Sequence, residues 1–437
     1  MAVTVALLML GCTSVVSRMP GATLLIGVLL PAALAAAPAT NRASKPSGNI
    51  LMAESGSGLD STIDADGTSK PECHERDTAD AARNRTCLPN FLVLGPQKTG
   101  TSALYEYLRV HPQMRLSRAK ELLHWGHPNH GQFDCSPKFS STYIRDFENV
   151  TEGYMTGDFT ASDISCVCCA VAASSLIPHA RLIVIMRDPI ARALSRYKEQ
   201  FAHVESYLGE HPEMSELVGG DLDGAIGCDS ACLKGTMSNY TAIALGPLDA
   251  CLKSAGTVEA RAECAEADQI IGWSMYSTMV DHWLTHFPIS QMMLIRSEAL
   301  ESRTLATLRG VEGFLGLGSA TYPGHLLNTE FNTGTSYGWH NGEFVAPARY
   351  VSAASVDISC GEECEAAARL SDAEHACLSQ FYEAHRSTLG PADSFFASTA
   401  DFCLGEECEP SEPLEPPAAF DAAGCVATAA AVARSRA

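Results

Sequence analysis

A lysine set between two glycines at the end of an apolar run is the first feature of this sequence that could do chemistry. Residues 91–94, Phe-Leu-Val-Leu, are followed by Gly95-Pro96-Gln97-Lys98-Thr99-Gly100-Thr101-Ser102. Gly95 and Gly100 allow the backbone to close on an anion. Thr101 and Ser102 open a helix whose first N–H groups point at that anion, and Lys98 adds a full positive charge. Gly95, Lys98, Thr99, Gly100, Thr101 and Ser102 are therefore candidate ligands of a phosphate-like group. The nucleoside triphosphate loop carries its lysine directly after the second glycine. Here Lys98 precedes Gly100, and no magnesium-binding acidic strand is evident. The loop suits an anion transferred without a metal, its charge carried by lysine and backbone donors. The plain alternative is a structural strand-to-helix turn.

Two further clusters bear on the same chemistry. Residues 181–186 lead into Arg187-Asp188-Pro189, then Arg192, Ser195 and Arg196. An arginine at the carboxyl end of a parallel strand lies where α/β sheets bind ligands, and Pro189 suits the first turn of a helix that brings Ser195 towards the same crevice. Arg187 and Ser195 are the candidates; Arg192 and Arg196 read as solvated positions, and an Arg187–Asp188 surface pair is the alternative. Nearer the loop lie Arg115, Arg118, Lys120, Glu121, His124 and Trp125. An attacking hydroxyl must lose its proton to a positioned carboxylate or imidazole. Glu121 is the candidate base and His124 the alternative, with Lys120 placed to hold the transferred group or an anionic acceptor.

Residues 91–94, 182–186 and 292–295 are short runs apolar on both faces, which predicts buried strands of an α/β fold with a parallel sheet flanked by helices. Tyr276, Trp283 and Phe287 recur at helical spacing and should pack in the core. Residues 199–270 hold 13 Asp or Glu against Lys234, Lys253 and Arg261, with four cysteines. They read as an acidic, disulfide-stapled insertion, either lid-like or a solvated face. Residues 39–85 are rich in Ser, Gly, Asp and Ala and read as a flexible stem. Residues 404–437 read as a disordered tail, leaving 86–403 as the catalytic domain.

A net charge of −21 argues against a general nucleic-acid binder. A polyanionic acceptor would need a local basic cleft, for which Lys98, Arg109, Arg115, Arg118 and Lys120 are available against Glu106 alone. Seventeen cysteines and the sequons at Asn84, Asn149 and Asn239 suggest an oxidising secretory lumen. The apolar stretch within residues 1–38 fits a signal peptide or an uncleaved signal anchor. Cys166, Cys168 and Cys169 lack properly spaced partners for zinc, so disulfides are expected and no metal. Cys251–Cys264, Cys228–Cys232 and Cys360–Cys364 are local possibilities, but sequence alone cannot assign the pairing.

The loop at 95–102 resembles the 5′-phosphosulfate loop of the Golgi carbohydrate sulfotransferases of the heparan and chondroitin sulfate type, and Arg187 with Ser195 is similar to their 3′-phosphate site. Lys120-Glu121 is similar to the pair whose glutamate is the family's base, although one extra residue precedes His124 here and Gly126 replaces an aromatic. The Tyr276 helix, the strand after it, and the runs at 314–317 and 378–382 also resemble the family. Together these extend the likeness over about residues 91–389. The resemblance implies transfer of a sulfuryl group from 3′-phosphoadenylyl sulfate to a carbohydrate hydroxyl, with no metal. It also implies a Golgi-lumenal type II membrane protein, or secretion if the signal is cleaved. Within the family, the N-acetylgalactosamine 4-sulfate 6-O-sulfotransferases look nearest. The rivals are a magnesium-dependent nucleotide kinase and a noncatalytic lumenal glycan-binding protein.

Overall fold

Strand formation follows from residues that are apolar whichever way they point. In the computed structural model, β1 (Phe91–Gly95), β2 (Gly157–Asp158), β3 (Arg181–Met186), β4 (Met292–Arg296) and β5 (Phe402–Leu404) form one sheet in the order β2-β1-β3-β4-β5. The first four run parallel, with Leu92 beside Asp158 and Leu182, and Leu182 beside Met292. β5 runs antiparallel to β4, pairing Leu294 with Cys403, so the expected parallel sheet carries one reversed edge. Leu92, Leu94, Leu182, Val184 and Leu294 feed one core with Trp273, Trp283 and Phe381. Phe91, Val93, Ile183, Ile185 and Ile295 feed a second core on the opposite face.

The structure describes residues 73–75, 85–117, 120–127, 132–133, 135, 141–147, 150, 153–210, 236–328, 362–387, 390–409 and 419–436, all within the compact unit Ser61–Ala437. The signal or anchor at 1–38, most of the stem, Arg118, Asn84, Asn149, Cys228, Cys232 and Cys360 lie outside them. Cys73–Glu75, in the stretch read as stem, pairs antiparallel with Arg85–Cys87 at the start of the domain. No helix among the described residues is long and apolar enough to cross a membrane.

The helices used below are α1 (Thr101–Arg109), α2 (Val167–Leu176), α3 (Pro189–Glu210), α4 (Met237–Ser254), α5 (Val258–Glu266), α6 (Tyr276–Trp283), α7 (Asp372–Ala384) and α8 (Ala422–Arg436). The predicted stripe on α6 is core, with Tyr276, Trp283 and Phe287 buried and the last two rings stacked. Part of the predicted insertion is core as well. Met237, Tyr240, Leu245, Leu248 and Leu252 of α4 are buried, and Cys251–Cys264 ties α4 to α5. A lid does not bury such a face. The sequon at Asn239 sits in the first turn of α4, with Tyr240 and Thr241 buried beside it, rather than on a loop.

The tail read as disordered contains α8, which packs on α4 and is joined to α7 by Cys377–Cys425. Cys425, Ala429 and Ala433 form its buried stripe. Cys166, Cys168 and Cys169 are taken up with Cys135 in two disulfides, Cys135–Cys168 and Cys166–Cys169. Cys403–Cys408 closes the turn after β5, and Cys364 is also disulfide-bonded.

Candidate active site

The strand order places the site. The chain leaves β1 for β2 on one side and then crosses to β3 on the other, and the crevice at such a switch point is where α/β sheets take ligands. β1 ends at Gly95, where φ is +100° and an added Cβ would lie 2.0 Å from the Ala161 carbonyl oxygen. Only glycine fits there. Gly100 (φ +103°) is the left-handed N-cap of α1 and makes no side-chain cap, which leaves the first-turn N–H groups for an anion. Between the glycines, the Thr99 hydroxyl donates to the Pro96 carbonyl at 2.7 Å. Its side chain therefore stitches the loop, and its backbone N–H is what it offers a ligand. Lys98 also adopts a left-handed φ of 73°, unfavourable for a residue with a Cβ.

Arg187 follows the end of β3 and reaches the loop. Its Nη1 donates to the Lys98 carbonyl at 3.2 Å across 89 residues of sequence, and its N–H donates to the Tyr276 hydroxyl at 3.3 Å. Asp188 turns instead to α3, where its Oδ1 accepts from the Ala191 N–H at 2.7 Å. Ser195 is half-buried on the α3 face it shares with Arg192, Arg196 and Glu199 by helical spacing. The arginines read as solvated are not: Arg192 is 0% and Arg196 3% exposed. Arg196 donates to Glu199 Oε2 at 2.6 Å, and Glu199 Oε1 lies 3.6 Å from Lys98 Nζ. Burial pushes the Glu199 carboxyl up, but Lys98 and Arg196 outweigh it and hold it down at about 2.

Glu121 is on the other side of the loop start. Its Oε2 accepts the Ala161 N–H at 2.8 Å, and Ala161 is the residue packed on Gly95. Lys120 Nζ is paired with its Oε1. The backbone here is strained, with φ 58° at Glu121 and 52° at Leu123. Two more carboxyls are nearby. Asp158 accepts from Tyr143 Oη at 2.8 Å and Thr160 Oγ1 at 2.7 Å; burial, and then the charge of Glu121, raise it to about 6 against those bonds. Asp163 is raised well above the carboxylate range by burial and by the charges of Asp158 and Glu121. Glu121, with 28% of its side chain exposed, is the most accessible of the three carboxyls. The His124 ring stacks on Tyr143 at 4.3 Å and lies beside Trp125, in the aromatic wall around Asp158.

The structure thus gathers Gly95, Lys98, Thr99, Gly100, Thr101, Ser102, Arg187 and Glu121 around the turn from β1 into α1. Among the described residues, the four basic side chains expected to line a local basic cleft all have partners. Lys98 pairs with Glu199, Lys120 with Glu121 and Arg109 with Glu106, while the Arg115 guanidinium sits 4.0 Å from the Tyr154 ring centroid. Sequence reasoning missed Glu199, Asp158, Asp163, Tyr143 and Thr160. The available signals were the position of Glu199, i+7 from Arg192, and of Asp158, at a strand's carboxyl end like Gly95 and Arg187.

Residues 88–328, more than half of the chain, match the sulfotransferase domain, and the chain belongs to that family. It is 28% identical over 231 residues to heparan sulfate glucosamine 3-O-sulfotransferase 3A1 of Mus musculus, a match covering 53% of this chain and 46% of that protein. It is 29% identical over 249 residues to bifunctional heparan sulfate N-deacetylase/N-sulfotransferase 3 of Homo sapiens, covering 54% of this chain and 23% of the relative. The match spans less than half the length of either relative. A solved sulfotransferase from Alicyclobacillus acidocaldarius aligns at 18% identity with a TM-score of 0.34, over 55% of this chain and 88% of its own.

Proposed function

We propose that this chain transfers a sulfuryl group from 3′-phosphoadenylyl sulfate to a hydroxyl of a glycosaminoglycan-like carbohydrate. The observation that supports the reading is the contact between Arg187 and the Lys98 carbonyl, which links the segment after β3 to the loop at 95–102. The N–H groups of residues 98–102 and the Lys98 ammonium would hold the 5′-phosphosulfate, and Arg187 and Ser195 the 3′-phosphate. Glu121 would take the acceptor proton as the new O–S bond forms. The old bond breaks towards the donor phosphate, whose growing charge Lys98 stabilises, releasing 3′-phosphoadenosine 5′-phosphate. The burial of Asp158 and Asp163 favours the more exposed Glu121 over its neighbours as base.

The heparan sulfate relatives support a glycosaminoglycan acceptor, and both O- and N-sulfotransferases are among them. A chondroitin 4-sulfate acceptor follows from the sequence resemblance and is the second acceptor to assay. Five disulfides among the described residues support an oxidising compartment. With residues 1–38 as signal anchor, that compartment is the Golgi lumen in type II topology.

The test is calorimetric titration of the full chain with 3′-phosphoadenosine 5′-phosphate and, in parallel, ADP, both in the presence of chelator. Metal-independent preference for the 3′-phosphorylated nucleotide is expected. Equal affinity for ADP, or no binding by folded protein, overturns the reading.

A further inference from the structure

A second guanidinium, besides that of Arg187, holds the loop, and this one is fully buried. Arg192 lies in the first turn of α3 with no exposed surface. Its Nε donates to the Gln97 carbonyl at 3.0 Å, and its Nη1 donates to the Gln269 and Ile270 carbonyls at 2.9 Å each and to Ser274 Oγ at 3.3 Å. The guanidinium also lies 5.9 Å from the Trp273 ring centroid. Burial lowers its pKa to about 10, so it remains charged at neutral pH. A buried cation is costly unless closely paired. This one is paired chiefly with backbone carbonyls, on the loop before α1 and on the segment before α6.

The geometry of the peptide unit gives this arrangement a direction. In a planar trans peptide the C=O of one residue and the N–H of the next point opposite ways. With the Gln97 oxygen drawn onto Arg192, the Lys98 N–H is aimed away from it. The Pro96 oxygen is likewise held, by the Thr99 hydroxyl, which aims the Gln97 N–H. Consecutive carbonyls are thus tied to side chains, and their partner N–H groups are oriented without needing a ligand present.

We infer that Arg192 is a positioning residue for the donor's phosphosulfate group, acting through the Gln97–Lys98 peptide. The inference rests on the donor site proposed above. It distinguishes Arg192 from Arg187, which is placed to meet the nucleotide itself.

Arg192→Met and Arg192→Lys, made in the full chain, test it. Without ligand, amide hydrogen exchange is measured for peptides covering 96–104 and, as control, α7. Calorimetry then gives the affinity for 3′-phosphoadenosine 5′-phosphate, and steady-state kinetics give the KM values and kcat. We expect loop amides in Arg192→Met to exchange at least about tenfold faster with α7 unchanged, and the nucleotide to bind about ten- to a hundredfold more weakly, as expected for one or two lost hydrogen bonds to a charged group. Arg192→Lys keeps the charge but not the fork, so its donor KM should rise while acceptor KM and kcat stay near the parent values. That split is readable even if Arg192→Met does not fold. Unchanged loop exchange in a folded Met variant overturns the inference. So does an Arg192→Lys enzyme with parent donor KM, or exchange that rises equally in α7, which marks a merely structural role. If the parent protein does not bind the nucleotide while loop exchange responds as expected, the donor reading falls and the hold on the loop stands.

Discussion

Glu199→Gln removes one negative charge from between two cations and keeps the side chain's shape. In the folded chain, Lys98 and Arg196 outweigh the burial that pushes this carboxyl up, and hold it at about 2 against an ordinary 4.5. One pH unit is worth about 1.36 kcal/mol, so the ionised side chain contributes roughly 3 kcal/mol to stability at pH 7. A carboxyl held low in the folded state gives a contribution that is complete above its unfolded pKa and drains away as pH falls through the folded one. At pH 3.5 the same two values leave about 2 kcal/mol. Urea denaturation of parent and variant at both pH values should show a gap of roughly 3 kcal/mol narrowing to about 2. Glutamine can still accept from Arg196, so unfolding should stay cooperative. A gap under about 1 kcal/mol at pH 7, or one that fails to narrow in acid, would refute the reasoning, because the two cations would then not be setting this carboxyl.

Glu121→Gln should lower transfer by about 10²- to 10⁴-fold while leaving nucleotide affinity unchanged in calorimetry; transfer at the parent rate removes Glu121 as base. Arg187→Ala should weaken 3′-phosphoadenosine 5′-phosphate by about ten- to a hundredfold and barely touch ADP, and equal losses for both count against a 3′-phosphate role. Gly95→Ala forces a Cβ to 2.0 Å from the Ala161 carbonyl at a φ of +100°, so a thermal melt should show a loss of several degrees; a parent-like melt contradicts the close approach. Cys425→Ser opens a disulfide spanning 48 residues, and chain entropy puts the cost near about 4 kcal/mol by denaturant unfolding, with no change at all as the contrary result.

The loop and the sheet strands were legible because each rests on local sequence. Residues 91–94 and 182–186 are apolar throughout, and Gly95, Lys98 and Gly100 lie together in the chain. Arg187 was legible from its place after a strand. The burial of Arg192 was not, because its partners, the Gln97, Gln269 and Ile270 carbonyls and the Ser274 hydroxyl, carry no charge pattern to read. β5 is only three residues long and carries no strand signal beyond Phe402 and Leu404. The α8 helix was hidden by its alanines. Small residues give little apolar contrast, yet they let Cys425, Ala429 and Ala433 lie close against α4. Glu199 was grouped with an acidic stretch whose other members hid its own pairing.

The position of α8 has a consequence for how the chain is made. The helix that covers α4 is the last described element to be synthesised, and its cysteine partner, Cys377, precedes it by 48 positions. A nascent chain emerging amino end first has the sheet strands β1 to β4 and all of α4 available before this cover exists. Until α8 emerges, the flank of α4 that it covers stays exposed, which is the condition under which partly folded chains aggregate. Ribosome-arrested chains ending before residue 422 should then be captured by added chaperones, and release should coincide with closure of the Cys377–Cys425 bridge.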